Sequence, residues 1–246
     1  MPATLVIQSH RLPLPCAWLQ PCLDSVASWA RAKGYDYHFL DDRIFDLLEP
    51  GLVEKTRAQP VIASDLARLK SLQQGLLEGY ACVIWCDADF LIFKAGDFIL
   101  PETDYALGRE VWVQAGERGK LRAYVKVHNA LLMFRQGNHF LDFYTDTAQR
   151  LLRLNQDSMP PQFIGPKLLT ALHNIALCPV METAGMLSPS VMRDLLAGEG
   201  QALDLFYQES PAALAGANLS SSLSEREGLT EAHMESLIQL LLSKGL

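Results

Sequence analysis

Asp87-Ala88-Asp89 stands directly after the uncharged run Tyr80-Ala81-Cys82-Val83-Ile84-Trp85-Cys86. Two carboxylates two positions apart can hold a divalent cation and, through it, a phosphate group. With fifteen Asp in the chain, an Asp-x-Asp arises by chance about once, so spacing alone says little. Position says more. The apolar run reads as a buried strand of a parallel sheet. In open α/β sheets, ligands bind outside the carboxyl ends of the strands, where Asp87 and Asp89 fall.

The elements around the motif must deliver its partners. Ser64 reads as a helix N-cap, Leu66, Leu69, Leu72 and Leu76 keep a helical spacing, and Gly79 supplies the stop. A helix over 64–78 is about 22 Å long and a strand over 80–86 about 23 Å. Since the helix runs antiparallel to the strand that follows, its first turns lie level with the strand's end. That places Asp65 and Arg68 beside Asp87 and Asp89. Upstream, Leu5-Val6-Ile7 reads as a strand. A helix from Pro21, with Cys22, Val26, Trp29 and Ala30 on one face, is predicted to stop at Gly34, and Tyr35 to Leu40 returns to a strand. Asp41-Asp42 ends that strand, Asp46 lies in a short helical stretch, and Pro50-Gly51 and Pro60 punctuate the connection. This alternation implies a mostly parallel central sheet flanked by helices. Gln8, Ser9 and His10 then follow the first strand at the same sheet edge, where base and ribose contacts are expected.

Beyond Phe93, Tyr105-Ala106-Leu107 and Val111-Trp112-Val113 read as two strands, and Ala115 to Lys120 as a polar loop able to close over a ligand. Asn129 to Phe134 is a further strand whose first residue, Asn129, is a candidate sugar contact. Helices are predicted after Gln136-Gly137-Asn138, from Pro166, from Ser188-Pro189 and from Thr230, and Asn218 to Ser222 reads as a polar loop.

Composition bounds the class. A chain of 246 residues, 49% hydrophobic and 20% charged, can bury a large core and is expected to form one domain over 1–246. A net charge of −7 without a dense Lys/Arg cluster excludes a nucleic-acid partner held by phosphate neutralisation. Five cysteines, an odd number in mostly apolar contexts, suit reduced thiols and a cytoplasmic location. Cys82 and Cys86 would lie about 13 Å apart on one strand, too far for a metal pair. His128, His139, His173 and His233 lack metal-ligand spacing. The N-terminal stretch has neither a basic leader nor the length of a transmembrane segment.

Ser64-Asp65-Leu66-Ala67-Arg68-Leu69 resembles the S-D-x-x-R-x helix of glycosyltransferases with the DXD sugar-binding region, a group that includes yeast-type mannosyltransferases and capsular polysaccharide transferases. Val83 to Leu91 is similar to the strand and motif of glycogenin-type transferases. Asn129 to Met133, Gly137 to Leu141 and Gly165 to Thr170 extend the likeness to the sugar-binding group, so that it covers roughly 61–170. The resemblance implies a GT-A fold and a metal-dependent hexosyltransferase that retains anomeric configuration. It further implies a UDP- or GDP-sugar donor and an acceptor that is a glycan, lipid or protein. Residues 1–93 would form the nucleotide-binding half, and residues 94–246 the acceptor side with the C-terminal helices. Asp87 and Asp89 would hold Mn²⁺ or Mg²⁺, with Arg68 pairing Asp87 or a phosphate, and Asp65 near ribose or donor sugar. The third protein ligand often comes from a C-terminal His or Asn in this fold, and Asn218, supported by Ser220 or Ser221, is the candidate. Gly79-Tyr80 stands six residues before Asp87, unlike the sugar-binding group's shorter spacing, so the donor is not carried over.

Two other classes meet the same motif. Haloacid-dehalogenase-like Mg²⁺-dependent phosphatases also place Asp-x-Asp after an apolar strand, but Phe90-Leu91-Ile92 stands where they need a small hydroxyl residue. A non-catalytic nucleotide-sugar-binding protein would keep the same pocket.

Overall fold

The computed structural model describes residues 3–116 and 119–246. Its first half alternates as the periodicity predicts: β1 (Thr4–Ser9), α1 (Leu19–Lys33), β2 (Asp36–Leu40), a 3₁₀ turn over Asp42–Leu47, α2 (Pro50–Lys55), α3 (Pro60–Leu77) and β3 (Cys82–Cys86). Gly34 ends α1 in the left-handed region at φ 69°, its N–H bonded to the Ala30 and Arg31 carbonyls. A residue with a Cβ would resist that turn.

α3 begins one turn earlier than the Ser64 cap predicts. Pro60, read as punctuation, is the first helical residue, where its fixed φ suits a helix and its missing N–H costs nothing. Ser64 instead donates its hydroxyl to the Pro60 carbonyl at 3.3 Å. The helix therefore has 18 residues, about 27 Å, and overshoots the five-residue β3 at its start. Asp65 and Arg68 consequently lie in the second and third turns rather than at the tip, still level with the end of β3. The helix sits hard on the sheet: a Cβ on Gly75 would come 2.8 Å from Val83 Cγ1.

The second half contains β4 (Phe90–Ile92), β5 (Tyr105–Ala115), β6 (Leu121–Arg135), α4 (Phe140–Leu154), α5 (Pro166–Ala176), β7 (Val180–Met181), β8 (Ala184–Met186), α6 (Pro189–Ala197), α7 (Gln201–Glu209), β9 (Gly216–Asn218), α8 (Ser221–Arg226) and α9 (Glu231–Lys244). A six-stranded sheet has the order β2-β1-β3-β6-β5-β7, and a three-stranded one the order β4-β9-β8. β1 pairs in parallel with β2 and β3, and β7 with β5, while β6 is antiparallel to both β3 and β5. The sheet is therefore mixed, a parallel half joined to a long hairpin.

That hairpin corrects the expected pair of short strands. β5 is one 11-residue strand whose register shifts between Leu107 and Gly108, and the Gly108-Arg109-Glu110 segment there breaks the apolar pattern. The His128 ring fills the space over Gly108, where a Cβ would come 2.1 Å from it. His128 shares a hydrogen bond with the Ala184 carbonyl at 3.2 Å, and burial drives its pKa down to about 4, so it is a neutral structural residue. Of the predicted polar loop at Ala115 to Lys120, Glu117 and Arg118 lie outside the described residues.

Apolar side chains cover both faces of the large sheet. Leu66, Leu69 and Leu72 of α3 pack with Trp85, Leu132 and Tyr144 on one face. Val26 and Trp29 of α1 pack with Ile84, Phe90 and Phe98 on the other. A third cluster joins Leu237, Ile238 and Leu241 of α9 to Val191 and Phe206. All five cysteines are free thiols, and no helix among the described residues is long and apolar enough to cross a membrane.

Candidate active site

β3 ends where Asp87 N–H donates to the Ala130 carbonyl at 2.8 Å, and Phe90 N–H then closes a turn onto the Asp87 carbonyl at 3.0 Å. The turn leaves both acids of the motif at the strand's carboxyl end. Asp87 Oδ1 accepts from Trp85 Nε1 at 2.6 Å and pairs with the Arg68 guanidinium at 2.9 Å. Trp85 thus holds Asp87 in place from two residues upstream, while its ring lies beneath Arg68, whose Cζ is 5.1 Å from the ring centroid.

Arg68 is the hub. It donates to the Asn129 carbonyl at 2.6 Å and also lies 3.6 Å from Asp65 Oδ1. Asn129 donates its side-chain amide to the same Asp65 oxygen at 2.8 Å. Asp65 is 4% exposed, and its Oδ2 finds no partner among the described residues. Burial raises its pKa to about 6 against the opposing pull of Arg68 and Asn129. Gly165 closes over this pair, since a Cβ there would come 2.4 Å from Asp65 Oδ2.

Asp89 faces the other way, toward the small sheet. Its Oδ1 accepts from Asn218 Nδ2 at 2.5 Å, its Oδ2 from Ser221 N–H at 2.9 Å, and its carbonyl from Leu219 N–H at 2.9 Å. Desolvation, then repulsion from Asp87, pushes its pKa up to about 6 despite those donors.

Two clefts meet on this pair of acids. The first, about 380 Å³, is lined by Ser9, His10, Asp42, Ile44 and Phe45 at the ends of β1 and β2 and by Arg68, Trp85, Asp87 and Asp89. The second, about 610 Å³, shares Arg68, Asp87, Asp89 and Ser221 and runs along Glu110, Trp112 and Lys126 of the hairpin. Both volumes lie within the range of small-molecule sites, roughly 300–1,000 Å³.

The free lone pairs decide whether a divalent cation fits. Asp87 Oδ1 is spent on Trp85 and Arg68, but Oδ2 makes no hydrogen bond among the described residues, and the side chain is 24% exposed. Asp89 gives one direction on each oxygen to a donor, and a carboxylate has about four such sites. No cluster of three or more His, Cys, Asp and Glu surrounds the site among the described residues. Two carboxylates without a full protein cage suit a hard ion that takes its remaining ligands from phosphate and water.

Several expected residues take different roles. Gln8 is fully buried and does not line the first cleft; its amide donates to the Asp87 carbonyl and accepts from Tyr37 Oη, both at 3.0 Å. It ties β1 to the motif turn, while Ser9 and His10 carry the cleft surface. Asn218 sits in a buried strand end rather than a polar surface loop. Its Oδ1 accepts from Ser220 N–H at 2.8 Å while its amide nitrogen faces Asp89, so in this arrangement the side chain positions Asp89 and keeps one lone pair on Oδ1. Trp85 went unread in the sequence because a tryptophan in an apolar strand looks like core. Ser221, expected beside Asn218, meets Asp89 through its backbone N–H. Glu110 was hidden in the irregular stretch of β5.

No protein-family model matches the chain, and no curated protein matches it. Solved structures are similar in fold. An active-site mutant of LgtC is 14% identical, with a TM-score of 0.50, and the match covers 98% of this chain and 95% of that one. The galactosyltransferase LgtC in complex with donor and acceptor sugar analogs aligns over the same shares at 14% identity and a TM-score of 0.49. A glycosyltransferase involved in the glycosylation of the major capsid of PBCV-1 is 11% identical, with a TM-score of 0.49, over 94% of this chain and 99% of that one. At such identities the likeness is one of architecture: with its parallel half, long hairpin and motif-bearing central strand, the chain has a GT-A-like α/β fold.

Proposed function

We propose that the chain is a metal-dependent glycosyltransferase that moves a hexose from a UDP- or GDP-sugar to an acceptor hydroxyl. The observation that carries this reading is the meeting of two clefts on Asp87 and Asp89 at the carboxyl end of β3. One cleft takes the nucleoside and the other the acceptor, so the scissile bond lies between them. The reading includes retention of configuration, which the resemblance implies, one domain over 1–246, which the length suits, and a cytoplasmic location, which five unpaired cysteines suit.

In this reading Phe45 and Ile44 face the base, Asp42 and Ser9 take ribose hydroxyls, and Asp87 and Asp89 present their remaining lone pairs to the cation. A divalent ion there would neutralise the charge that grows on the departing diphosphate. Arg68 pairs with Asp87 and orients it, and the buried Trp85 fixes the carboxylate from below. Asp65 and Asn129 line the second cleft beside the motif, within reach of the transferred sugar.

Thermal-shift titration with UDP, GDP and their sugars, with and without Mn²⁺, tests the binding. Donor hydrolysis by wild type and Asp89→Asn tests the chemistry. Nucleotide binding that requires Mn²⁺, and hydrolysis that falls at least 100-fold in Asp89→Asn, are expected. Metal-independent binding, or unchanged turnover, would sink the proposal, and phosphate bound covalently to Asp87 would assign a phosphatase instead.

A further inference from the structure

The second cleft has a wall that the donor does not need. Val111 and Val113 of β5 belong to the C-terminal core cluster, while Glu110, Trp112 and Gln114 present the polar and aromatic side of the strand to the cleft, which Val113 also borders. Lys126 stands opposite Glu110 and Tyr124 opposite Trp112 in the β5–β6 register, and the Lys126 ammonium rests 5.4 Å from the Tyr124 ring centroid. The Trp112 indole N–H donates to Gln114 Oε1 at 2.9 Å, which spends its polar edge and fixes the ring.

Glu110 is the anomaly. It is only 9% exposed, yet among the described residues it takes part in none of the ion pairs, although Lys126 lies on the neighbouring strand. A carboxyl so largely removed from water and outside every ion pair among the described residues costs free energy, and what access it keeps is toward the cleft it lines. Burial raises its pKa to about 7, with Lys126 opposing. A fixed aromatic ring beside a hydrogen-bonding carboxyl suits a ligand with an apolar face and a rim of hydroxyls.

On the basis of the glycosyl-transfer reading, we infer that this wall is a subsite for a neutral saccharide acceptor, with the ring face of one sugar against Trp112 and a hydroxyl of the same sugar donating to Glu110. The carboxyl can accept from a hydroxyl when ionised, and can donate as well when protonated, so it holds the sugar across neutral pH.

Saturation-transfer NMR on the full chain, with UDP and Mn²⁺ present and lactose, maltose and cellobiose as probes, tests the subsite. At least one disaccharide is expected to receive magnetisation, with the signal lost in Trp112→Ala and affinity about tenfold weaker in Glu110→Gln. Mn²⁺-dependent UDP binding should be unchanged in both variants, which also shows that they fold. Contact with none of the three sugars, or contact that survives Trp112→Ala, overturns the inference while UDP binding holds. Loss of UDP binding in wild type itself would instead overturn the glycosyl-transfer reading.

Discussion

Asn218 donates its side-chain amide to Asp89 at 2.5 Å although 129 positions separate them in the chain. The contact joins the end of β9 to the Asp87-Ala88-Asp89 turn, and Ser221 N–H completes the grip on the other carboxylate oxygen. Asn218→Ala removes a bond to a charged group and leaves Asp89 half-desolvated. Stability should fall by about 1–3 kcal/mol in urea unfolding, and Mn²⁺-dependent UDP binding should weaken with it. A variant with the wild-type midpoint and wild-type affinity would show that Asp89 needs no positioning.

Arg68 compensates two acids at once, Asp87 at 2.9 Å and Asp65 at 3.6 Å. Arg68→Ala leaves both partly buried and unpaired, and should cost about 3–5 kcal/mol. Arg68→Lys keeps the charge but loses the planar fork that reaches Asp87 and the Asn129 carbonyl together. Lys should therefore recover part of the stability while donor hydrolysis stays low. Full recovery of hydrolysis by Lys would reduce Arg68 to a counter-charge.

Trp85→Phe separates ring from hydrogen bond. The aromatic surface under Arg68 remains, and the 2.6 Å bond from Nε1 to Asp87 is lost. A loss of about 1.5–3 kcal/mol is expected for a hydrogen bond to a charged group. Calorimetry should show weaker binding of the UDP–Mn²⁺ pair, because Asp87 is freed to rotate. An unchanged binding enthalpy and affinity would count against that role.

The buried acids set a pH dependence with a definite sign. Asp65 holds its proton up to about 6 in the folded chain, against a usual 3.8. Between those values the unfolded chain binds fewer protons than the folded one, so stability falls as pH rises, with a slope up to ~1.4 kcal/mol per pH unit for each such group. Asp89, also raised to about 6, adds to the fall, while His128, lowered to about 4, opposes it with one group's slope up to about pH 6.5 and leaves the acids' sign in charge below pH 6. Glu110, raised to about 7, continues the decline toward neutrality. Denaturation midpoints of the ligand-free chain should drop from pH 4 to pH 7, and Asp65→Asn should flatten the lower part of that profile. A midpoint that rises across the same interval in wild type would contradict the burial of these groups.

Much of this architecture could be read from residue order. The leucine spacing of α3, the stop at Gly79 and the apolar run before Asp87 are local signals, and they suffice to set Asp65 and Arg68 near the motif. The start of α3 was misplaced by one turn because Pro60 serves equally as a breaker and as a first helical residue. β5 reads as two short strands because its register shift at Gly108 interrupts the alternation that marks a strand. Asn218 looked like loop because its neighbours are serines, and only the pairing of β9 between β4 and β8 buries it. Gln8 looked like a ligand contact because it ends a strand at the right edge, but Tyr37 and the motif turn claim its amide first. Such outcomes depend on which distant segments arrive, and residue type alone does not encode that.

The small sheet has a consequence for synthesis. Chains emerge from the ribosome N-terminus first, and β1, β2, α3 and β3 are complete long before Gly216–Asn218 is made. During that interval the Asp89 carboxylate lacks both of its donors, the Asn218 side-chain amide and the Ser221 backbone N–H. The nascent chain carries the motif from residue 89 onward, but the donors to the Asp89 carboxylate are in place only once β9 has paired between β4 and β8 and the segment through Ser221 has docked.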